Sequence, residues 1–284
     1  MTTASEASSG KTHRDENFPV ASWLIQARHR PAVLAFYRFV RAADDVADHA
    51  TLAPAAKLAL LDRLEATLTG GSDAEPAGVA LREALAARGL APRHALDLLT
   101  AFRMDVTKLS YADWDDLMGY CRYSAMPVGR FVLDVHGEPH STWVASDALC
   151  AALQVINHLQ DCAGDYRDLH RVYIPTDAFA AANAAPRELG LPAATAGLLS
   201  AIRGLARRTD DLLRQAIPLP IQVGDTRLAL ECAVILRLAR KLNGWLLQRD
   251  PLSQRVHLRP AGVAGFTLLG LLEGAIGRLG RGRS

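Results

Sequence analysis

Three observations on this 284-residue chain predict an all-α fold. Prolines and glycines punctuate apolar stretches of helical period, strand-like alternation is almost absent, and few β-branched clusters fall outside the helical stretches. Pro31, Pro54, Pro76 and Pro92 each stand where a 3.6-residue period begins, a first-turn position in which the missing N–H is harmless. Gly89 and Gly137 stand where such periods end, at the position that favours a left-handed backbone. The predicted helices are 19–28, 31–50, 54–69, 76–88, 92–109, 114–136, 147–168, 186–189, 197–217, 226–248 and 260–279. Asp113 is expected to cap the helix 114–136, with Asp115 and Asp116 favoured by its dipole. Asp210 and Arg214 read as an exposed pair four residues apart. The stretches 169–185 and 218–225 read as irregular, but neither has the length or composition of a domain linker. One domain over 17–284 behind a disordered tail, 1–16, is therefore expected, with short connections making neighbouring helices antiparallel.

Composition narrows the function. Half the residues are hydrophobic and 22% are charged, as in folded soluble proteins, and the net charge of +2 gives no basic field for nucleic acid. Cys121, Cys150, Cys162 and Cys232 form no C-x-x-C pair and read as buried thiols of a cytoplasmic protein. The first residues lack the apolar core of a signal peptide. The longest apolar run, Ala261 to Leu279, is broken by Glu273 and Arg278 and reads as a core helix. No Ser/His/Asp order, P-loop or G-x-G-x-x-G supports hydrolase, nucleotide or nicotinamide chemistry.

Charge placed inside two apolar helices is the main chemical signal. Asp44 and Asp48 in RAADDVADH, and Asp161 and Asp165 in NHLQDCAGD, each set two carboxylates four residues apart, about 6 Å along one helix face. Inward-facing carboxylates need a cation or strong hydrogen-bond donors to offset desolvation. Hard oxygen ligands on two helices suit Mg²⁺, which fills its other positions with water and substrate phosphate. Arg38 and Arg41 precede the first pair, and Arg41 shares its face; it either takes phosphate oxygens or pairs with an aspartate. The second helix carries Gln154, Asn157, Asp161 and Asp165 as one polar stripe, with His158 and Cys162 read as off the stripe and structural. Between the two lies YCRYSAMPVGR, in which Tyr120 and Tyr123 either bond a diphosphate, face a carbocation or belong to the core. Ser124, Ala125 and Gly129 there are small enough to let a long apolar ligand approach the backbone.

In their order and separations, ENFPVAS, FYRFVRAADDVAD, YCRYSAMPVGR, QVINHLQDCAGDYRD and RVYIP resemble the squalene/phytoene synthase family, closely over residues 17 to 175. Within it they are most similar to the hydroxysqualene synthases of bacterial hopanoid and squalene biosynthesis. The resemblance implies a single-domain helical bundle of the isoprenoid synthase type with a central active-site cavity, Mg²⁺, and conversion of presqualene diphosphate to hydroxysqualene. It implies Asp44, Asp48, Asp161 and Asp165 as metal ligands and Tyr120 as the active-site tyrosine. Arg38, Arg41, Tyr123, Gln154, Asn157, Gln160 and Phe18 are implied in substrate binding. Dehydrosqualene synthases commonly carry Arg where this chain has Gln160, which removes a cation beside the diphosphate and separates this chain from simple head-to-head condensation. Asn157, Gln160 or a tyrosine is expected to hold the water that captures the cation. Partners implied by the resemblance are a presqualene diphosphate synthase and a flavin-dependent squalene-forming oxidoreductase, with peripheral contact at the inner face of the membrane left open. The alternatives are condensation of two prenyl diphosphates and a non-catalytic helical partner of another synthase.

Overall fold

The computed structural model describes residue 4 and residues 25–257, and all structural statements concern these. Eleven α-helices are present among them: α1 (Arg30–Ala47), α2 (Pro54–Leu68), α3 (Pro76–Ala86), α4 (Arg93–Thr107), α5 (Trp114–Ser124), α6 (Met126–His136), α7 (Trp143–Gly164), α8 (Thr176–Ala181), α9 (Ala196–Ala216), α10 (Leu219–Gln222) and α11 (Thr226–Leu246). The only strand-like pairing among the described residues is an isolated bridge between Ser110 and Val172. No described helix is long and apolar enough to cross a membrane. The expected tail 1–16, most of the helix 19–28, Phe18 and the helix 260–279 lie outside the described residues.

Local chemistry accounts for most helix boundaries. Pro31, Pro54 and Pro76 occupy first turns, and Gly137 closes α6 in the left-handed region at φ 72°. Pro92 instead precedes α4 as its cap. Asp113 caps α5 as expected, its carboxylate accepting from the Asp116 N–H at 2.9 Å. The expected single helix 114–136 is two helices, broken at Ala125, because Pro127 cannot donate the hydrogen bond that a continuous helix needs. Two short helices, α8 and α10, form in stretches expected to be irregular, and residues 186–190 form a 3₁₀ turn. Helix α7 begins earlier than expected and ends in a wide π turn over Asp165–Leu169. Asp210 does not pair with Arg214: it accepts from Asn243 on α11 at 2.6 Å, and Arg214 turns to Asp211.

Two hydrophobic cores result. One joins α5, α7, α9 and α11; the other joins α1 to α4 with Phe131 and Val135 of α6. Helix α6 packs on both α1 and α7, so it lies at the seam. At that seam an apolar cavity of about 320 Å³ opens between α1, α6, α7 and α11. Gly129 makes the close approach possible, because a Cβ there would run into Ser146 Oγ and meet Cys150 Sγ at 2.6 Å on α7. The stacked rings of Phe36 and Phe131, 3.8 Å apart, form part of the lining. All four cysteines are free thiols, with Cys121, Cys162 and Cys232 buried and Cys150 partly so.

Candidate active site

Both acid pairs stand at the end of a helix that begins as cavity wall. On α1, Val33, Phe36, Tyr37 and Val40 line the cavity, and the next turn carries Arg41, Asp44 and Asp45, with Asp48 as the C-terminal cap. On α7, Ser146, Leu149, Cys150 and Leu153 line it, and Gln154, Asn157, His158, Asp161 and Asp165 follow. A helix C-terminus carries partial negative charge, so carboxylates there are unfavourable unless a cation joins them. The sequence thus folds two electronegative helix ends beyond one apolar space.

Arg41 supplies part of the missing charge to the first pair. Its Nη1 donates to Asp44 Oδ2 and its Nη2 to Asp45 Oδ1, both at 2.6 Å. Asp45, unremarked in the sequence, is the buried member of the group, while Arg38 faces solvent. Burial and the neighbouring Asp48 charge push the Asp44 carboxyl up to about 7, against the pull of Arg41.

The second pair is more open than an inward-facing stripe predicts. The Asp161 side chain is 51% exposed and lies 3.2 Å from His257 Nε2. Desolvation raises its carboxyl above the ordinary range, His257 opposing and Asp165 adding to the shift. Cys162 packs in the core as expected, but His158 does not stand apart from the stripe. Its Nε2 is 3.1 Å from Gln154 Nε2, and its Nδ1 is 3.9 Å from Asp165. A 3.6-residue repeat puts both the third and fourth residues after Gln154 on one face, so Asn157 and His158 flank the same stripe. Gln160 faces elsewhere and is buried, its Nε2 donating to the Val256 carbonyl at 2.6 Å. Tyr123 is half-buried against the core.

Residues with no role assigned from the sequence, Arg171 and Tyr173 of RVYIP and Asp105, link the two motifs. Arg171, buried just beyond the second pair, donates from Nη1 to Asp48 at 2.6 Å, from Nη2 to the Ala47 carbonyl at 3.1 Å and from Nε to the Asp105 carbonyl at 3.0 Å. It thereby caps the C-terminus of α1 and neutralises Asp48 at once. Asp105, on α4, accepts from the hydroxyls of Tyr120 at 3.0 Å and Tyr173 at 2.8 Å. Burial raises its carboxyl, and Arg171 and the two phenols pull it back. The His158 ring stacks on Tyr173 with centroids 3.5 Å apart. A continuous line of contacts thus runs from Asp48 through Arg171, Asp105, Tyr173 and His158 to Asp165. The acid pairs themselves do not meet directly: among the described residues no three His, Cys, Asp or Glu side chains are grouped as a metal would need. One signal for Asp105 was present in the sequence, since it continues the buried face of Leu98 and Phe102 at helical spacing.

Comparison with known proteins adds the lineage. The squalene/phytoene synthase family model matches residues 11–261. A hydroxysqualene synthase from Rhodopseudomonas palustris is 61% identical over 260 residues, which cover 92% of this chain and 89% of that one. Another from Zymomonas mobilis is 50% identical over 273 residues, 95% of this chain and 91% of that one. Among solved structures, a squalene synthase from Alicyclobacillus acidocaldarius superposes with a TM-score of 0.70 at 33% identity, covering 83% of this chain and 88% of that one. A ligand-bound dehydrosqualene synthase shares the fold at a TM-score of 0.74 and 22% identity, over 92% of this chain and 91% of that one.

Proposed function

This chain belongs to the squalene/phytoene synthase family, and we propose that it converts presqualene diphosphate and water to hydroxysqualene and diphosphate. One observation carries the reading: two walls of an apolar cavity end in carboxylate pairs, with Arg41 and Arg171 beside the first. That layout suits a ligand with a long hydrocarbon body and an anionic head.

The chemistry of the donor set fits Mg²⁺. Carboxylates crowd two helix ends, and burial together with the neighbouring Asp48 charge pushes the Asp44 carboxyl up to about 7, a cost that a bound cation would offset. Asp44 with Asp48, and Asp161 with Asp165, would each hold Mg²⁺. When bound, Mg²⁺ offsets the charge that develops on the departing diphosphate. Arg41 adds donors to the same oxygens through its planar fork. The apolar walls from α1, α6, α7 and α11 then keep bulk water from the carbocation. Capture ends the reaction: a water oxygen bonds the cationic carbon, and one water proton leaves with the diphosphate or solvent. No hydride enters, so no nicotinamide cofactor is consumed. Asn157 of the polar stripe or Tyr120 of the tyrosine motif would hold that water; Gln160, whose amide donates to the Val256 carbonyl, is a weaker candidate. The same reading sets the chain in the cytoplasm, between an enzyme that makes presqualene diphosphate and a flavin-dependent oxidoreductase that removes the hydroxyl.

The test is incubation of the purified chain with presqualene diphosphate and Mg²⁺. A C30 alcohol should form, its oxygen labelled in ¹⁸O-water, with neither rate nor product changed by NADPH. Squalene formed only with NADPH, or unlabelled alcohol, refutes the reading. Efficient use of farnesyl diphosphate alone would turn it to head-to-head condensation, and absence of Mg²⁺-dependent diphosphate release would leave a non-catalytic helical partner.

A further inference from the structure

The C-terminal end of α1 gathers more cations than its carboxylates engage. Two of them converge on one oxygen: the Ala47 carbonyl accepts from Arg171 Nη2 at 3.1 Å and from Lys57 Nζ at 2.8 Å. Lys57 is half-buried in the first turn of α2, so a second helix delivers its ammonium to the first acid pair. The guanidinium groups there already hold carboxylates, Arg41 those of Asp44 and Asp45 and Arg171 that of Asp48. Lys57 pairs with no carboxylate among the described residues, and the Ala47 carbonyl takes one of its three ammonium hydrogens. Burial and the Arg171 charge push the ammonium below the ordinary lysine range, against the pull of Asp48. A cation suits the C-terminus of a helix, which accounts for one cation on that carbonyl. It does not account for a second one set against Arg171, whereas an anion beside Asp48 would offset both the repulsion and the burial.

We propose that Lys57 is a substrate-binding residue, its ammonium taking an oxygen of the diphosphate on the Asp48 side of the first acid pair. This rests on the reading above that the anionic head of the ligand is a diphosphate held at the acid pairs. An ammonium is a compact point charge with rotatable donors on a flexible stem, so it can give a hydrogen to a phosphate oxygen without breaking an ion pair. Arg171 differs, because each of its three nitrogens already donates to a protein oxygen. Lys57 touches the leaving group and not the hydrocarbon. It therefore governs how tightly the head is held and leaves the choice of product to the cavity walls.

The experiment titrates inorganic diphosphate, in the presence of Mg²⁺, into the full-length wild type, Lys57→Gln, Lys57→Arg and Arg214→Gln, and reads the affinity by calorimetry. Lys57→Gln should weaken diphosphate by about tenfold or more, as expected for one lost hydrogen bond between charged groups. Lys57→Arg keeps the charge and should recover most of that loss. Arg214→Gln removes one positive charge from an exposed pair with Asp211 and should match the wild type. KM for whichever prenyl diphosphate the wild type turns over should rise in Lys57→Gln along with the diphosphate Kd, and the product ratio should stay as in the wild type. A lysine that only caps α1 would lower the melting temperature of Lys57→Gln and leave diphosphate affinity alone. A wild type that binds no diphosphate with Mg²⁺ refutes the diphosphate reading, and the proposal with it. A wild type that binds it while Lys57→Gln stays within about twofold, or while Arg214→Gln loses as much as Lys57→Gln, overturns the proposal alone.

Discussion

Arg171→Met should be among the most damaging single changes near the site, and its effect should grow with pH. The Arg171 side chain is only 7% exposed, and it serves Asp48, the Ala47 carbonyl and the Asp105 carbonyl while its charge faces the Asp105 carboxylate. Methionine preserves the apolar stem and removes all three donors. Asp48, with a side chain 39% exposed, recovers water and loses little. Asp105 is 7% exposed and is left as a carboxylate with two phenols and no cation. Removing one partner of a buried charge pair costs about 3–5 kcal/mol. At ~2–4 °C per kcal/mol for a large domain, the melting temperature should fall by roughly 6–20 °C. Arg171→Lys, which keeps charge but can satisfy fewer acceptors, should fall between. The folded-state carboxyl of Asp105 already lies above its unfolded value, so its ionisation on the way to neutral pH removes stability. Without Arg171 that carboxyl moves higher still. The deficit relative to wild type should therefore be small near pH 4, where the acid is protonated in the variant, and should widen as pH rises past the variant's folded value. Thermal melts without Mg²⁺ from pH 4 to 8 measure this. A drop below about 2 °C, or a deficit independent of pH, would refute the argument that Arg171 neutralises Asp105.

Three further outcomes are expected. Asp44→Asn or Asp161→Ala should abolish Mg²⁺-dependent turnover while the metal-free protein melts no lower than wild type at pH 8. For Asp44 the sign follows from a carboxyl raised to about 7, whose ionisation destabilises the fold above that pH; near-normal diphosphate release in either variant would remove it from the metal site. Arg41→Lys should lower kcat/KM by about tenfold or more, because one ammonium cannot hold Asp44 and Asp45 and still present a fork to phosphate; silent kinetics would leave Arg41 a salt-bridge partner only. Gly129→Ala should cost about 1–3 kcal/mol by thermal melt, since the new methyl meets Ser146 and Cys150 within 2.6 Å; a variant as stable as wild type would show that α6 and α7 separate freely.

Sequence by itself determined what depends on near neighbours along the chain. Proline in first turns, Gly137 after α6 and the Asp113 cap are contests between a few adjacent backbone groups, and the helices follow from them. The acid pairs were legible for the same reason, as spacing within one helix fixes which side chains share a face. Even there, local reading erred where two options lay close in energy. Pro127 splits a helix that the apolar period alone would continue, and His158 falls on the stripe with Asn157 because 3.6 is not an integer. What only the tertiary structure decided are the partners that lie far apart in the chain. Arg171 reaches Asp48 across 123 positions and the Asp105 carbonyl across 66, and Tyr173 reaches the Asp105 carboxylate across 68. An aspartate in MDVTK and an arginine in HRVYIP look like surface charges until the fold removes water from both. Their pairing then follows from the cost of a buried charge left alone, a cost that exists only once the core has closed around it.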